Sequence, residues 1–184
     1  EQWVVQYDCP RSIGQVKAFF GNFGMFVRAY TYSREWGSEG LKQISDMAVL
    51  NANYVRTRLT DSYHVPFNRP CLHECVITDK TQLKASGIKT LDIAKRLIDY
   101  GYHPPTVYFP ICVQGAIMIE PTESESLESL DEFVDSMISI AEEAKDSPEV
   151  LKEAPSMPIV ARMDETRAAR NPQLRWYPNE SSSG

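Results

Sequence analysis

The sequence lacks the long apolar runs and the excess of positive charge that are typical of membrane proteins and nucleic-acid-binding proteins. No run approaches the ~20 apolar residues that a transmembrane helix needs. The net charge is −6 at pH 7, and the 19 Lys and Arg residues are dispersed along the chain. A polyanion gains little from such a surface. We therefore expect no membrane span and no nucleic-acid partner.

Cysteine is also scarce, and its spacing is uneven. The four cysteines are Cys9, Cys71, Cys75 and Cys112. Secreted domains held together by disulfides are denser in cysteine, so reduced thiols in a cytoplasmic protein are the simpler interpretation. Residues 1–3 do not begin a signal peptide, and the absence of a leading Met suggests a trimmed chain or a fragment.

Several signatures of enzymes are missing as well. The chain has no glycine-rich loop that would cradle a phosphate, no nucleophile-elbow motif and no His-Glu-x-x-His motif. The 42% hydrophobic and 24% charged residues are ordinary for a globular protein, and 184 residues allow one compact domain with or without extra segments. Composition alone therefore names no reaction.

In the first third of the chain, the pattern predicts a short strand and two helices. Residues 3–7 read as a strand, and residues 23–36 as a helix. Apolar side chains surround most of the first helix, so we expect it to be buried between other elements. Gly37 should end it. A second helix then runs over residues 38–61, roughly 35 Å at 1.5 Å per residue, which is typical of a connector between layers or domains.

The middle of the chain alternates between strands and helices. Strands are predicted at 72–77, 106–109 and 116–119. Residues 80–86 should form a short helix or a turn, and further helices are predicted at 90–100, with Thr90 as the cap, and from 122 onward. Neighbouring strands that are joined by few residues pair antiparallel. The order therefore predicts an α+β fold in which a small antiparallel sheet carries its helices on one face.

The last helix should begin with a capping box, because Thr122 and Glu125 have the spacing in which both side chains satisfy backbone amides. Its inward face is predicted to consist of Leu127, Leu130, Val134, Met137, Ala141 and Ala144. From residue 147 onward, repeated prolines indicate an arm rather than core, apart from a short helix over 164–170. Residues 181–184 should be disordered.

Cys71 to Cys75, with His73 and Glu74 between them, resembles a metal-binding pattern only superficially. In a strand, residues 71, 73 and 75 share a face but lie roughly 6.6 Å apart in succession, too far for a compact tetrahedral zinc site. The pattern favours buried strand cysteines beside a hydrogen-bonded His73, and we expect no metal.

Three polar residues near the middle strands have both a functional and a structural interpretation. His103 precedes two prolines, and it suits a ligand-facing loop as well as a backbone hydrogen bond. Glu120 could be a general base, although a carboxylate that binds the amides beyond Pro121 is the favoured alternative. Thr122 is interpreted first as a helix cap and second as a ligand contact.

Ordered blocks of residues resemble one known family. They are 21–24, 27–32, 40–41, 48–54, 73–74, 92–97, 99–101, 103–106 and, most strongly, the Glu-Pro-Thr-Glu-Ser-Glu run at 120–125. These blocks resemble the glycine dehydrogenase (decarboxylating) family, the P-protein of the glycine cleavage system. Residues 149–176 resemble the C-terminal end of subunit 2 in bacteria that divide this enzyme between two chains.

The resemblance implies a fold-type-I pyridoxal-phosphate enzyme, an oxidoreductase of the cytoplasm. In that family, pyridoxal phosphate is the electron sink for loss of carbon dioxide from glycine. The remaining aminomethyl group passes to the lipoyl arm of the H-protein. The implied partners are therefore subunit 1 in a heterotetramer, the H-protein and glycine.

The chain departs from the family in one respect. Members hold the cofactor on a lysine that directly follows a histidine in the large domain, and none of the eight lysines here follows a histidine. The resemblance then implies that residues 1–37 are the last elements of that large domain, 38–63 the connecting helix, 64–146 a small α+β domain and 147–184 the proline-rich arm. We expect no catalytic, cofactor-binding or metal-binding residue in this chain, no bound pyridoxal phosphate and no activity without the rest of the enzyme.

Four residues are implied to face the substrate pocket from the small domain: His103, Thr106, Glu120 and Thr122. There they would shape the entrance for glycine and the lipoyl arm. The alternative is that the chain is a non-catalytic module for subunit assembly or binding. Apolar helix faces that normally meet the large domain could also cause self-association.

Overall fold

The computed structural model describes residues 2–4, 6, 9–14, 16–17 and 19–175. The helices in these residues are α1 (Phe23–Leu59), α2 (Lys80–Ser86), α3 (Thr90–Asp99), α4 (Leu127–Asp146), α5 (Pro148–Glu153) and α6 (Glu165–Arg170); the strands are β1 (Cys75–Thr78), β2 (Thr106–Val107) and β3 (Ala116–Ile119). The chain forms two compact units, Glu1–Gln43 and Ile44–Gly184, and α1 runs from the first into the second. Among the described residues, no helix is long and apolar enough to cross a membrane.

The first unit contains the start of α1 and little other regular structure. The strand predicted at 3–7 is wrong for residues 3, 4 and 6, which are irregular, whereas residues 5 and 7 lie outside the described part. α1 begins at Phe23 as predicted. Every residue from 23 to 36 is exposed, so the expected burial of this segment is also wrong. A helix buries its apolar face only against another element, and the described residues before it form no helix or strand.

Gly37 interrupts α1 as the sequence predicts. Its backbone angles, φ 61° and ψ −172°, are not helical, and the φ value suits a residue without a Cβ. Helical structure then resumes and ends at Leu59, two residues before the predicted end. Within the second unit, Ala52, Val55 and Leu59 are fully buried, three and four residues apart.

The sheet of the second unit has the order β1-β3-β2, with both neighbouring pairs antiparallel. Cys75 pairs with Ile119 and Ile77 with Ile117, and these four side chains lie in the core together with the helices. Val76 and its partner Met118, one residue along each strand, are only partly buried because successive side chains point to opposite faces. The predicted α+β class with a small antiparallel sheet is confirmed.

α4 supplies the largest share of the core. Of the six residues predicted on its inward face, five are buried: Leu130, Val134, Met137, Ala141 and Ala144. Leu127, the first residue of the helix, is exposed. The Tyr63 hydroxyl donates to the Met137 carbonyl at 2.8 Å inside this core, and burial raises the pKa of that phenol.

The predicted caps of two helices are wrong in detail. α4 begins at Leu127, and Ser126 is its N-cap, whose hydroxyl accepts the Ser129 N–H at 3.2 Å. Thr122 instead has φ 63° and belongs to the turn before the helix, so Thr122 and Glu125 form no capping box. Similarly, Thr90 lies inside α3, and the N-cap is Lys89.

A hydrogen-bonded junction joins the start of α3 to the two long strands. The Asp79 carboxylate accepts the Thr90 N–H at 2.8 Å, and the Gly115 carbonyl accepts both the Thr90 hydroxyl at 2.8 Å and the Asp79 N–H at 3.2 Å. Gly115 has φ 68°, and a Cβ built on it would overlap the Asp79 carboxylate. Only glycine satisfies both the backbone angle and the close approach.

The chain beyond residue 146 does not begin as an arm, so that prediction is wrong for residues 147–155. Pro148 occupies the first turn of α5, where a missing N–H costs nothing. Leu151 and Ala154 are fully buried, and Leu151 belongs to the core of the second unit. α6 confirms the predicted short helix at 164–170. The predicted disorder at 181–184 lies outside the described residues.

Residues 156–175, which we call the arm, are exposed but are anchored at their start. The Asp99 carboxylate accepts the N–H groups of Ser156 and Met157 at 2.7 and 2.8 Å. Burial raises the pKa of that carboxyl, but the two N–H donors outweigh burial and lower it overall. Further along, Arg162 pairs with Asp92 at 2.8 Å and donates to the Ala154 and Leu151 carbonyls.

A charged network ties α3 to α4. Arg96 binds Glu143 through two hydrogen bonds, both 2.8 Å, and also reaches Asp99 at 3.2 Å. The Tyr100 hydroxyl donates to Glu143 at 2.9 Å. The Arg96 guanidinium lowers the pKa of Glu143. Paired in this way, the charges hold two helices together without leaving a donor or acceptor unsatisfied.

Candidate functional site

The candidate site is a cleft beside β3, which we call the β3 cleft. It has a volume of about 460 Å³ and is bordered by β2, β3, the end of α1 and the first turns of α4. His103, Thr106 and Glu120 all line it. Three of the four residues that the sequence nominated for a pocket are therefore brought to one cavity, although they are as many as 17 positions apart along the chain.

Local structure explains how these three side chains reach the cleft. Pro104 and Pro105 restrict the backbone between His103 and β2, and both prolines line the cleft themselves. Glu120 follows β3 directly, so the strand determines where its side chain begins. Tyr102 and Phe133 also line the cleft, and their rings pack edge to face with centroids 5.4 Å apart.

Thr122, the fourth nominated residue, does not line the cleft. Its carbonyl accepts the side-chain amide of Asn51 at 2.8 Å, and its hydroxyl forms a 2.8 Å hydrogen bond with the Ser124 hydroxyl. Thr122 thus fixes the chain after Glu120 to α1. Sequence reasoning missed Asn51; the available signal was a polar residue next to Ala52 in the apolar stripe of α1.

The cleft is strongly acidic. Glu125 and Glu132 line it in addition to Glu120, and no Lys or Arg of the described part of the chain does. The acidic first half of α4 is the signal that the sequence offers for these residues, although an acidic helix face is ordinarily solvated. Carboxylates without a paired cation attract positively charged groups and repel phosphate.

A group of three possible metal ligands lies at the edge of this cleft. His73 Nε2 is 3.8 Å from a carboxylate oxygen of Glu74 and 3.8 Å from one of Glu120. Continuing the register of β1 and β3 puts Glu74 opposite Glu120, which explains the proximity. Among the described residues, none hydrogen-bonds these side chains to hold them as ligands, and His73 and Glu120 are half exposed.

The cysteine pattern does not form the strand face that the sequence suggested. β1 begins only at Cys75, which is buried, and burial raises the pKa of its thiol to about 12. Cys71 lies before the strand, where its backbone N–H and carbonyl bind the Asn53 side chain at 3.0 and 2.8 Å. The expected buried cysteine is confirmed for Cys75, whereas the expectation of a hydrogen-bonded His73 inside a strand is wrong.

The comparisons with known proteins identify a family that matches most of the second unit. A family model described as "Glycine dehydrogenase, C-terminal domain" matches residues 44–159, which include the sheet, the β3 cleft and α5. This chain belongs to that glycine dehydrogenase family. The family resemblance stated from the sequence is therefore confirmed.

Relatives within the family extend the match to most of the chain. A "Probable glycine dehydrogenase (decarboxylating) subunit 2" of Bacillus velezensis is 58% identical over 170 residues, covering 92% of this chain and 34% of the relative. The protein of the same name from Desulforamulus reducens is 53% identical over 176 residues, covering 96% of this chain and 36% of the relative. The chain spans about a third of the length of these curated relatives.

Proposed function

We propose that this chain is the C-terminal part of a glycine dehydrogenase (decarboxylating) subunit 2. In the whole enzyme, glycine loses carbon dioxide with the help of pyridoxal phosphate, and the aminomethyl group passes to the lipoyl arm of the H-protein. The proposal includes a cytoplasmic heterotetramer with subunit 1. The observation that carries it is the 58% identity over 92% of the chain to a relative named as that subunit.

Pyridoxal phosphate, when bound, supplies the electron sink for decarboxylation. The residues of the β3 cleft do not fit this cofactor, because three carboxylates line the cleft and no lysine does. The phosphate would meet repulsion, and no amine is available for attachment. We therefore assign cofactor binding to polypeptide outside this sequence and expect the chain to be inactive by itself.

The β3 cleft is proposed to face the substrate pocket of the whole enzyme. Its carboxylates favour the positively charged amino group that glycine carries, and the same charge occurs on an aminomethyl group. Glu120 and His103 would orient that group, Thr106 would offer a hydroxyl, and Thr122 would hold the turn after Glu120 through its bond to Asn51.

The direct test uses the full-length enzyme with subunit 1 and the H-protein. Glu120→Gln removes one charge from the cleft with little change in shape. We expect at least a tenfold fall in kcat/KM for release of labelled carbon dioxide from carboxyl-labelled glycine. Glu123→Gln, three residues away and outside the cleft lining, is the matched control and should keep its activity. Equal activity of both variants would show that the β3 cleft is not part of the substrate site.

The inactivity of this chain has its own test. The 184-residue chain is mixed with pyridoxal phosphate and examined for the visible absorbance of a lysine-linked cofactor. We expect only the spectrum of free pyridoxal phosphate. A saturable linked spectrum that sodium borohydride traps on one lysine would contradict the assignment of the cofactor to other polypeptide.

A second candidate function, subunit assembly, is favoured by the arm. Its start is fixed by Asp99 and Arg162, whereas Ile159 and Leu174 are almost fully exposed. Apolar side chains held on a fixed segment suit contact with a neighbouring subunit. The test is a whole subunit that has been truncated after residue 163 of this sequence. It should lose part of its affinity for subunit 1 in analytical ultracentrifugation, and unchanged association would argue against this role.

A further inference from the structure

A second cavity, lined in part by the Cys71 segment, is distinct from the β3 cleft. It has a volume of about 380 Å³ and shares no lining residue with that cleft. We call it the Arg56 pocket. Its polar lining residues are Arg56, Arg69 and Glu74, and Cys71 lies between the polar and apolar walls.

Among the described residues, Arg56 donates hydrogen bonds to neutral partners and forms no ion pair. Its Nη1 donates to the Asn68 side chain at 3.2 Å and its Nη2 to the Thr57 hydroxyl at 3.5 Å, while its Nε is buried without any hydrogen-bond partner. Arg56 and Cys71 both line the pocket; burial raises the pKa of the Cys71 thiol, and the Arg56 guanidinium opposes that rise. A buried, unsatisfied N–H of a cation is unfavourable unless an acceptor binds it.

Arg69 has no side-chain partner among the described residues. By contrast, Arg58, Arg96 and Arg162 each reach a carboxylate within 2.8 Å. Glu74 does line the Arg56 pocket, but it lies beside His73 and forms no ion pair with either arginine within the described chain. Arg56 and Arg69 therefore line one cavity without an ion pair among the described residues, and Glu74 is the one carboxylate in its lining.

The remaining walls of the pocket are apolar. They are formed by Phe67, Pro70, Leu72 and Val76. Phe67 and Leu72 are 48% and 74% exposed, respectively, so a ligand with an aliphatic body would remove apolar surface from water. A bare inorganic anion would not use these walls.

We propose that the Arg56 pocket binds a small aliphatic carboxylate, with the carboxylate held by Arg56 and Arg69 and the hydrocarbon packed against Phe67 and Leu72. The planar guanidinium group matches a carboxylate through paired N–H donors. The volume is within the range of pockets that enclose small molecules. Neither arginine lines the β3 cleft, so the proposal does not depend on the function proposed above.

Butyrate is the probe, and the 184-residue chain is the protein. Binding is followed by amide chemical shifts of residues 67–76 in NMR titrations at constant ionic strength. We expect saturable shifts with butyrate. Butyramide, which has the same shape without the charge, should bind with at least tenfold lower apparent affinity. Inorganic phosphate should also bind more weakly than butyrate, because it cannot use the apolar walls.

Arg56→Met and Arg69→Met keep an aliphatic stem and remove the charge; each should weaken butyrate binding at least tenfold. Arg170→Met makes the same change of charge in α6, away from the pocket, and should bind like the parent chain. Arg69 is exposed, so its variant keeps the test valid even if Arg56→Met does not fold. The proposal would be overturned if butyrate and butyramide bound equally, or if phosphate bound more tightly than butyrate. It would also be overturned if Arg69→Met bound butyrate like the parent chain, or if butyrate gave no saturable shifts.

Discussion

At the scale of single residues, the Arg96–Glu143 pair shows most clearly how the contribution of a charged side chain to stability depends on its neighbours. Both side chains are about three-quarters or more buried, and Glu143 accepts from Arg96 twice and from Tyr100 once. Removing one member leaves the other buried without its partner, which costs more than the pair contributes.

Glu143→Gln should therefore destabilise the protein by about 1–3 kcal/mol, because a neutral amide replaces a charged acceptor of three hydrogen bonds. Urea unfolding, followed by circular dichroism, measures the change. Glu142→Gln, the exposed neighbour on α4, should shift stability by no more than about 0.5 kcal/mol. Equal effects of the two substitutions would contradict the role of the network.

Asp99 and Glu143 also predict how stability depends on pH. The pKa of each carboxyl is lowered in the folded state, so each contributes stability that is present above the unfolded value of about 4 and is lost as pH falls through the folded pKa. The urea midpoint should thus fall steadily below about pH 5. The urea midpoint of Glu143→Gln should fall less steeply than that of the parent chain. If the two midpoints fell in parallel, the prediction would be wrong.

At the scale of elements, the start of α4 distinguishes two possible caps. Ser126→Ala should cost about 1 kcal/mol, because the Ser129 N–H loses its acceptor. Glu125→Ala would cost a similar amount if the Thr122 capping box existed, but should change stability by less than about 0.5 kcal/mol in the structure described here. Thermal unfolding of both variants decides between the caps.

Elements with a clear period were predictable from sequence, whereas the cap of α4 was not. The helix that carries the buried Ala52, Val55 and Leu59 and the bounds of β3 both follow from local pattern, and both are confirmed. The choice between Thr122 and Ser126 as cap depends on the turn that Asn51 holds from 71 residues away. No local rule contains that contact.

The same reasoning applies to the β3 cleft. His103, Thr106 and Glu120 were nominated from the resemblance and from proline-bounded loops, and the structure brings them to one cavity. Glu125 and Glu132 were missed because an acidic helix face is ordinarily solvated, and only packing shows that this one borders a cleft. The Arg56 pocket was missed since it forms between α1 and an irregular loop.

At the scale of the whole molecule, the core ends later in the chain than the prolines suggest. A chain that stops at residue 146 loses Leu151 from the core, and should lose at least about 2–5 kcal/mol of stability. A chain that stops at residue 163 keeps Leu151 and the Arg162 contacts, and should unfold within about 0.5 kcal/mol of the parent. Urea unfolding of the two truncations compares them directly; similar losses would mean that the arm itself stabilises the core.

The junction at Gly115 makes one position almost intolerant of mutation. Every other amino acid adds a carbon where the Asp79 carboxylate already lies, and thereby disturbs the start of α3 as well as the end of β1. In a library randomised at codon 115 and sorted for folded protein, glycine should be recovered almost alone. Codon 24, whose glycine has open space around it, should accept many residues. Genetic variation at position 115 is thus limited because the structure has no room there for a Cβ atom.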